Sequence, residues 1–232
     1  MGRHMDKSPH QVNNFTKQIF SMSIFDVVLS RFPNNVIILK RCYRGYELMY
    51  RSLFDRVYGA GNIQFNDITT ENKVFLYPLK GGQYTMFTSI ANDKHKHVIE
   101  TIIRKHDLTY ENTVILTPYV AQKTRLEALV HTDILISTVD AYPGCECDNV
   151  IISLPSDSLG FLKDELDKRH CSYLNRRVIV MLSRANKRMF IVGDVSDEIS
   201  TRKVKEIDGV VVIDDEDEDE HENEDFEDHM YD

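Results

Sequence analysis

Five cationic side chains, Arg176, Arg177, Arg184, Lys187 and Arg188, crowd into the stretch RRVIVMLSRANKR, around one apolar run, VIVML, and ahead of a second, MFIVGD. By propensity VIVML is a strand, yet two strands so close need a hairpin, and no Asn-Gly type of turn is written between them. Propensity leaves open what these cations do beside buried segments. Other chemistries find little support. The four cysteines, Cys42, Cys145, Cys147 and Cys171, show no CxxC spacing, so free thiols are expected rather than disulfides or a zinc site. Glu146 and Asp148 beside Cys145 and Cys147 read as a polar turn, and no metal is expected there because no second ligand pair has a matching spacing. His95 and His97 lie near the start of a helix and are expected to face solvent. No GxxxxGK[ST] occurs, nor any Gly-Lys pair, so the loop that cradles phosphates is missing.

Charge is divided unevenly. The formal net charge is −9, with 28 basic and 37 acidic residues, but Asp214 to Asp232 holds 13 of the acids and no Lys or Arg. Residues 1–213 therefore carry 28 basic against 24 acidic side chains, about +4. A mildly basic body can meet polyanions, while the 214–232 tail is too charged to bury itself and is expected to be disordered. No window approaches a membrane-spanning apolar run, and MGRHMDKSPHQ lacks the apolar core of a signal peptide, so an intracellular protein, nuclear or cytoplasmic, with no membrane partner is expected. MGRHM reads as a cloning remnant.

The elements that must position these residues follow from periodicity. Phe15, Ile19, Met22, Phe25 and Leu29 predict an amphipathic helix over 12–30. After NVIIL, the segment KRCYRGYELMYRSLFDRVYG reads as a loop and a helix ending at Gly59. Strands are expected at 73–79, 113–119, 134–140, 149–154 and 189–194, with helices between them, one carrying Val98, Ile102 and Ile103 and another spelled VAQKTRLEALV. A polar helix is expected around FLKDELDKR, and LKGGQYTM reads as an exposed connection. Alternation of short apolar runs with helices predicts a three-layer α/β domain around a mainly parallel sheet. In such sheets chemistry gathers at the carboxyl ends of strands, where TPY, STVDAYPGCE and GD are all expected. The divisions expected are a leader over 1–19 running into the first helix, a domain over 20–195, a linker or short element over 196–213, and the acidic tail over 214–232.

Four motifs in order, LKRCYRGYELMYRSLF, TPYVAQ, STVDAYPGCECDNVIISL and RRVIVMLSRA before a strand ending VGD, resemble the second RecA-like domain of superfamily-1 RNA helicases. The nearest types are the nonsense-mediated-decay helicase, Aquarius and the NFX-type zinc-finger helicases. The resemblance covers roughly residues 20–195 and implies a P-loop NTPase-type fold. It implies that RRVIVMLSRA is helical and turns Arg184 toward a nucleotide held between two RecA-like domains, where a guanidinium stabilises charge on the transferred phosphoryl group. Arg44 matches the arginine of the upstream motif, with Tyr43 near the base and Gly144 and Glu146 near ribose and phosphates. Thr117, Tyr119, Gln122 and Thr138 match positions along a single strand of RNA, or DNA. The partners implied are that strand and an N-terminal RecA-like half, and ATP with Mg2+ is expected only with that half.

Departures from the pattern leave a second reading. Pro143 replaces a glutamine and removes a backbone donor, Cys42 replaces another glutamine, and Asn186 stands for the second arginine, with Lys187 a partial substitute. A helicase-like module without turnover, serving as a protein-binding platform, is the alternative. Taken alone, Arg184 reads as a solvated surface residue, Tyr119 as a core aromatic, and Asp140 as a residue that orients its loop. VVVIDDE at 210–216 looks like a metal-binding Walker strand but follows the other motifs, and that reading is rejected. Val210, Val211, Val212 and Ile213, flanked by acids, read equally as a strand that adds to a protein partner in the manner of a SUMO-interacting motif or as a final edge strand. The 210–232 segment is the expected route to any protein partner, or an internal competitor for the basic surface.

Overall fold

The computed structural model describes residues 28, 30–35, 37, 39–43, 50–51, 54–55, 59–65, 73–156, 180–194 and 210–212. The chain divides into two units, Met1–Lys40 and Arg41–Asp232. In the first, the Phe32 amide donates to the Val28 carbonyl at 2.8 Å and Pro33–Asn35 form a 3-10 turn. Val28 and Ser30 are helical, and the rest of the helix expected over 12–30 lies outside the described residues.

The second unit is built on a six-stranded sheet of order β10-β3-β9-β8-β6-β7. Its strands are β3 (Lys73–Pro78), β6 (Thr113–Thr117), β7 (Leu135–Thr138), β8 (Cys147–Leu154), β9 (Ala185–Gly193) and β10 (Val210–Val212), and every neighbouring pair is parallel. A two-stranded parallel ribbon joins β1 (Arg41–Cys42) to β2 (Gln64–Phe65), and an antiparallel hairpin joins β4 (Gln83–Met86) to β5 (Ser89–Asn92). Among the described residues two helices are complete, α1 (His95–Lys105) and α2 (Val120–Leu129).

Burial on both faces explains why the central strands are nearly unbroken apolar runs. Ile115, Ile151 and Phe190 face Ile99 and Ile102 of α1 and Leu126 of α2. Their immediate neighbours Val114, Val150 and Met189 face the opposite way, against Tyr50 and Met181. Tyr50, Phe54, Val180, Met181 and Leu182 are helical, so helices cover both faces and the fold is the expected three-layer, RecA-like α/β domain. Each fully buried Ile or Leu contributes about 1.5–3 kcal/mol through removal from water. The described part of VIVML, residues 180–182, is helical despite its strand propensity, because a helix there covers the second face.

Two elements differ from expectation. LKGGQYTM is the start of a hairpin whose two-residue turn, Phe87-Thr88, carries none of the glycine or asparagine that marks such turns. The strand expected from Met189 begins four residues earlier, at Ala185, so Arg184 precedes a strand instead of ending a helix. Val210–Val212 form an edge strand of the chain's own sheet, in register with Val74–Leu76, the arrangement of one of the two expected readings. Ile213, the helix expected around FLKDELDKR and the acidic tail lie outside the described residues. Gly193 at the end of β9 has φ +150°, and a Cβ there would meet the Leu154 carbonyl oxygen at 2.4 Å, so only glycine lets β8 and β9 close at this point. Among the described residues no helix is long and apolar enough to cross a membrane.

Candidate functional site

Because all six strands run one way, the expected site residues separate onto two edges of the sheet. The segment STVDAYPGCE does not lie wholly at the carboxyl ends as expected. Val139–Ala141 form a 3-10 turn at the carboxyl end of β7, after which the chain crosses the sheet and delivers Gly144 to Glu146 at the amino end of β8. Arg184 sits at the amino end of β9 beside them.

At this amino edge the described cations of the opening stretch, Arg184, Lys187 and Arg188, are ties, while Arg176 and Arg177 lie outside the described residues. The Arg184 guanidinium donates to the Cys145 carbonyl at 3.0 Å, while the Cys147 amide donates to the Arg184 carbonyl at 3.0 Å. Arg184 is 8% exposed, so its charge is set inside the loop rather than in water. Lys187 pairs with Asp148 at 2.7 Å, and Arg188 donates to the Asn149 side chain at 2.7 Å. Lys187 is thus engaged by its neighbouring strand. The buried Tyr50 hydroxyl donates to the Ala185 carbonyl, joining the helical residues of the upstream motif to the residue after Arg184. Burial pushes the Tyr142 phenol and the Cys147 thiol above their ordinary values. Gly144, exposed and at φ +72°, holds the turn that Glu146 follows.

The buried part of the carboxyl edge is organised by neutral groups. Thr117 and Thr138, the last residues of β6 and β7, are register partners. The Tyr119 amide donates to Thr117 Oγ1 at 3.4 Å, and α2 begins at the next residue. Gln122, fully buried, accepts from the Asn92 amide at 2.7 Å and donates to the Asn92 carbonyl at 3.2 Å and to Ser153 Oγ at 2.9 Å. Ser153 Oγ lies 2.9 Å from His95 Nδ1, since a hydroxyl can accept from the amide and donate to the ring at once. His95 is fully buried and its pKa is lowered to about 4 by that burial, which corrects the expectation that it faces solvent; His97 is exposed. The hairpin is bound to α2 at two further points. The Ala121 amide donates to Ser89 Oγ at 3.2 Å, and Arg125 grips Asp93 through two bonds of 2.9 and 2.7 Å, with the Tyr84 hydroxyl donating to the same carboxylate at 2.8 Å. The Arg125 guanidinium holds the Asp93 carboxyl below its ordinary value.

Of the residues singled out in the sequence, Arg184, Gly144 and Glu146 come together at one edge, and Thr117, Tyr119, Gln122 and Thr138 at the other. Gln122 has no exposed surface and Thr117 none either. Tyr119 is 7% exposed, a core aromatic in this state. Tyr43 follows β1 and is 73% exposed, while Arg44 lies outside the described residues. Asn92 and Ser153, which complete the buried network with Gln122 and His95, carry no mark in the sequence pattern as site residues. The Asn92 side chain accepting from the Lys94 amide two residues on is a local turn signal that a reader of SIAND could have used. Among the described residues no group of His, Cys, Asp and Glu could hold a metal.

The chain is similar over part of its length to several helicases. It is 36% identical over 95 residues to the DNA polymerase alpha-associated DNA helicase A of Saccharomyces cerevisiae, which is 37% of this chain and 12% of that protein. Among solved structures, the C-terminal domain of a possible DNA helicase from Lactobacillus plantarum WCFS1 aligns over 73% of this chain and 98% of that one, at 14% identity and a TM-score of 0.42. Arterivirus nonstructural protein 10, a helicase in complex with DNA, aligns over 70% of this chain and 27% of that one, at 17% identity and a TM-score of 0.37. The chain spans about an eighth of the length of the yeast relative. A family model described as an AAA domain matches residues 20–196, most of the chain, and the protein belongs to that family.

Proposed function

We propose that this chain is the second RecA-like half of a superfamily-1 helicase, contributing its amino strand edge to an ATP site between two domains and its carboxyl strand edge to a single-stranded RNA path. The observation that carries the reading is the convergence of Arg184 with the Gly144–Glu146 loop, although the two lie some 40 residues apart in sequence. Arg184 is the group proposed to meet the transferred phosphoryl oxygens, with Arg44 as its companion. For that role the guanidinium would leave the Cys145 carbonyl and turn outward. Gly144 and Glu146 would approach ribose and phosphates, and Tyr43 the base. Thr138, half-exposed, is the nucleic-acid contact, and Thr117, Tyr119 and Gln122 shape the turn beside it. Mg2+ would arrive with the nucleotide and the partner half, which must also supply the phosphate loop.

The test is nucleic-acid-stimulated ATP hydrolysis by the full parent polypeptide beside its Arg184→Ala and Arg184→Lys variants, with RNA and DNA compared as stimulants. Loss of about a thousandfold in the alanine variant, with lysine failing to restore it, is expected for an arginine at the transferring phosphate. Melting curves of the same variants separate that effect from loss of the Cys145 bond. One observation favours the second reading, a helicase-like module without turnover: Arg184 is 8% exposed and its guanidinium is bonded to the chain itself. A parent protein with no stimulated turnover supports that reading and overturns the first.

A further inference from the structure

The hairpin β4–β5 carries a contradiction at its tip. Among the described residues two that are not glycine have positive φ, Phe87 at 56° and Asp107 at 49°. Asp107 is accounted for. It ends α1, where the Leu108 amide donates to the Ile103 carbonyl and the Asp107 amide to the Arg104 carbonyl, the pattern that favours a left-handed residue after a helix, and aspartate tolerates that conformation. Phe87 is the first residue of a two-residue hairpin turn, the position that glycine occupies when φ is positive there. A phenylalanine at that φ is strained, and its ring is 94% exposed, so it gains nothing from the core. Two unfavourable features thus coincide on one side chain, and neither serves the fold.

The surroundings point to what the ring meets. Ser89 and Asn92 bond the hairpin to the first turn of α2, immediately after Thr117 and Tyr119, and the Arg125–Asp93–Tyr84 cluster fixes its base. The tip is therefore an aromatic group on a rigid arm at the carboxyl edge. At the foot of the arm Lys80 and Lys94 are exposed, and neither forms an ion pair among the described residues, while the nearby Asp93 is neutralised by Arg125. An exposed ring with two unpaired cations at its foot, and the adjacent carboxylate cancelled, matches a base above a phosphate backbone.

We infer that Phe87 is a stacking platform for a base of single-stranded nucleic acid, with Lys80 and Lys94, about 13 Å down the four-residue strands, meeting phosphates further along the same nucleic-acid strand. The inference rests on the nucleic-acid reading of the carboxyl edge and adds to it a contact that is independent of base identity. It is tested with the full chain and a fluorescein-labelled oligothymidine, read by anisotropy across a salt series. Phe87→Ala is expected to weaken binding roughly fivefold to a hundredfold while leaving the salt slope unchanged, and Lys94→Ala to lower that slope by about 1. The chain has no tryptophan, so F87W places one reporter at the tip, and its emission is expected to be quenched at saturating oligonucleotide. F87G relieves the backbone and is expected to melt at or above the wild-type temperature while binding as weakly as the alanine variant. Should the alanine variant bind as tightly as wild type, or F87W emission stay unchanged on saturation, the stacking role is overturned and the nucleic-acid reading stands. Failure of the wild-type chain to bind at low salt overturns both.

Discussion

The two edges of this sheet are held together by different physics. At the amino edge, permanent cations bond to carbonyl and amide oxygens and to a carboxylate: Arg184 to Cys145, Arg188 to Asn149, Lys187 to Asp148. At the carboxyl edge the buried ties are neutral, an imidazole, a hydroxyl and two amides closed into one network, and the Arg125–Asp93 pair lies outside it, partly exposed. A guanidinium keeps its charge at any accessible pH, whereas a buried imidazole keeps its neutral state only while protons are scarce. The difference teaches that the same fold can have one edge indifferent to acid and another sensitive to it.

The largest expected effect tests how closely the carboxyl edge is packed. Gly193→Ala must push a Cβ against the Leu154 carbonyl or twist the end of β9, and a loss of about 4 kcal/mol in urea unfolding is expected. An alanine variant with unchanged stability would mean that β8 and β9 part freely there.

Acid is the intermediate test. The folded-state pKa of His95 is lowered to about 4, so between pH 6.5 and 4 the unfolded chain binds a proton that the folded chain refuses. Stability is full above pH 6.5 and falls as the pH drops through that window, by on the order of 3 kcal/mol. His106, whose carbonyl accepts from Arg188, is shifted in the same direction by burial and by the nearby Arg188 and Lys105 charges. Urea unfolding at several pH values with wild type and His95→Gln separates the two. If most of the slope survives the substitution, the acid sensitivity belongs to His106 and the contrast between the edges fails.

The smallest effect is expected at the amino edge. Lys187 is 59% exposed in its pair with Asp148, and Lys187→Ala should cost about 0.3 kcal/mol, vanishing in high salt. A loss several times larger would show that this pair, rather than Arg184 and Arg188, fastens β9 to β8.

What was legible in the sequence was what burial writes plainly. TVILT and NVIISL each carry an unbroken apolar run of three residues, VIL and VII, because both sheet faces are covered, and the strands stand where those runs predict. The hairpin was hidden because its turn residue, Phe87, is a type that turns disfavour. The buried state of His95 could not be read from a lone histidine near a helix start, since its partner Ser153 lies 58 residues away. Nor could spacing alone assign Arg184 and Thr138 to opposite edges. That division depends on where the chain recrosses the sheet, and a short loop looks alike in sequence whether it returns or not.

The recrossing itself has a mechanical consequence. From Thr138, level with Thr117, to Cys147 the chain must cover about six residues of strand rise and two strand spacings, roughly 22 Å. Residues 139–146, with their 3-10 turn, reach about 26 Å at full stretch. The segment is nearly taut, and Val139 and Tyr142 pin it to the sheet face as it passes. It behaves as a strut with only a few ångströms of slack. Any larger displacement of Thr138 must either unwind the 3-10 turn or be delivered to Glu146 and the carbonyl that Arg184 grips.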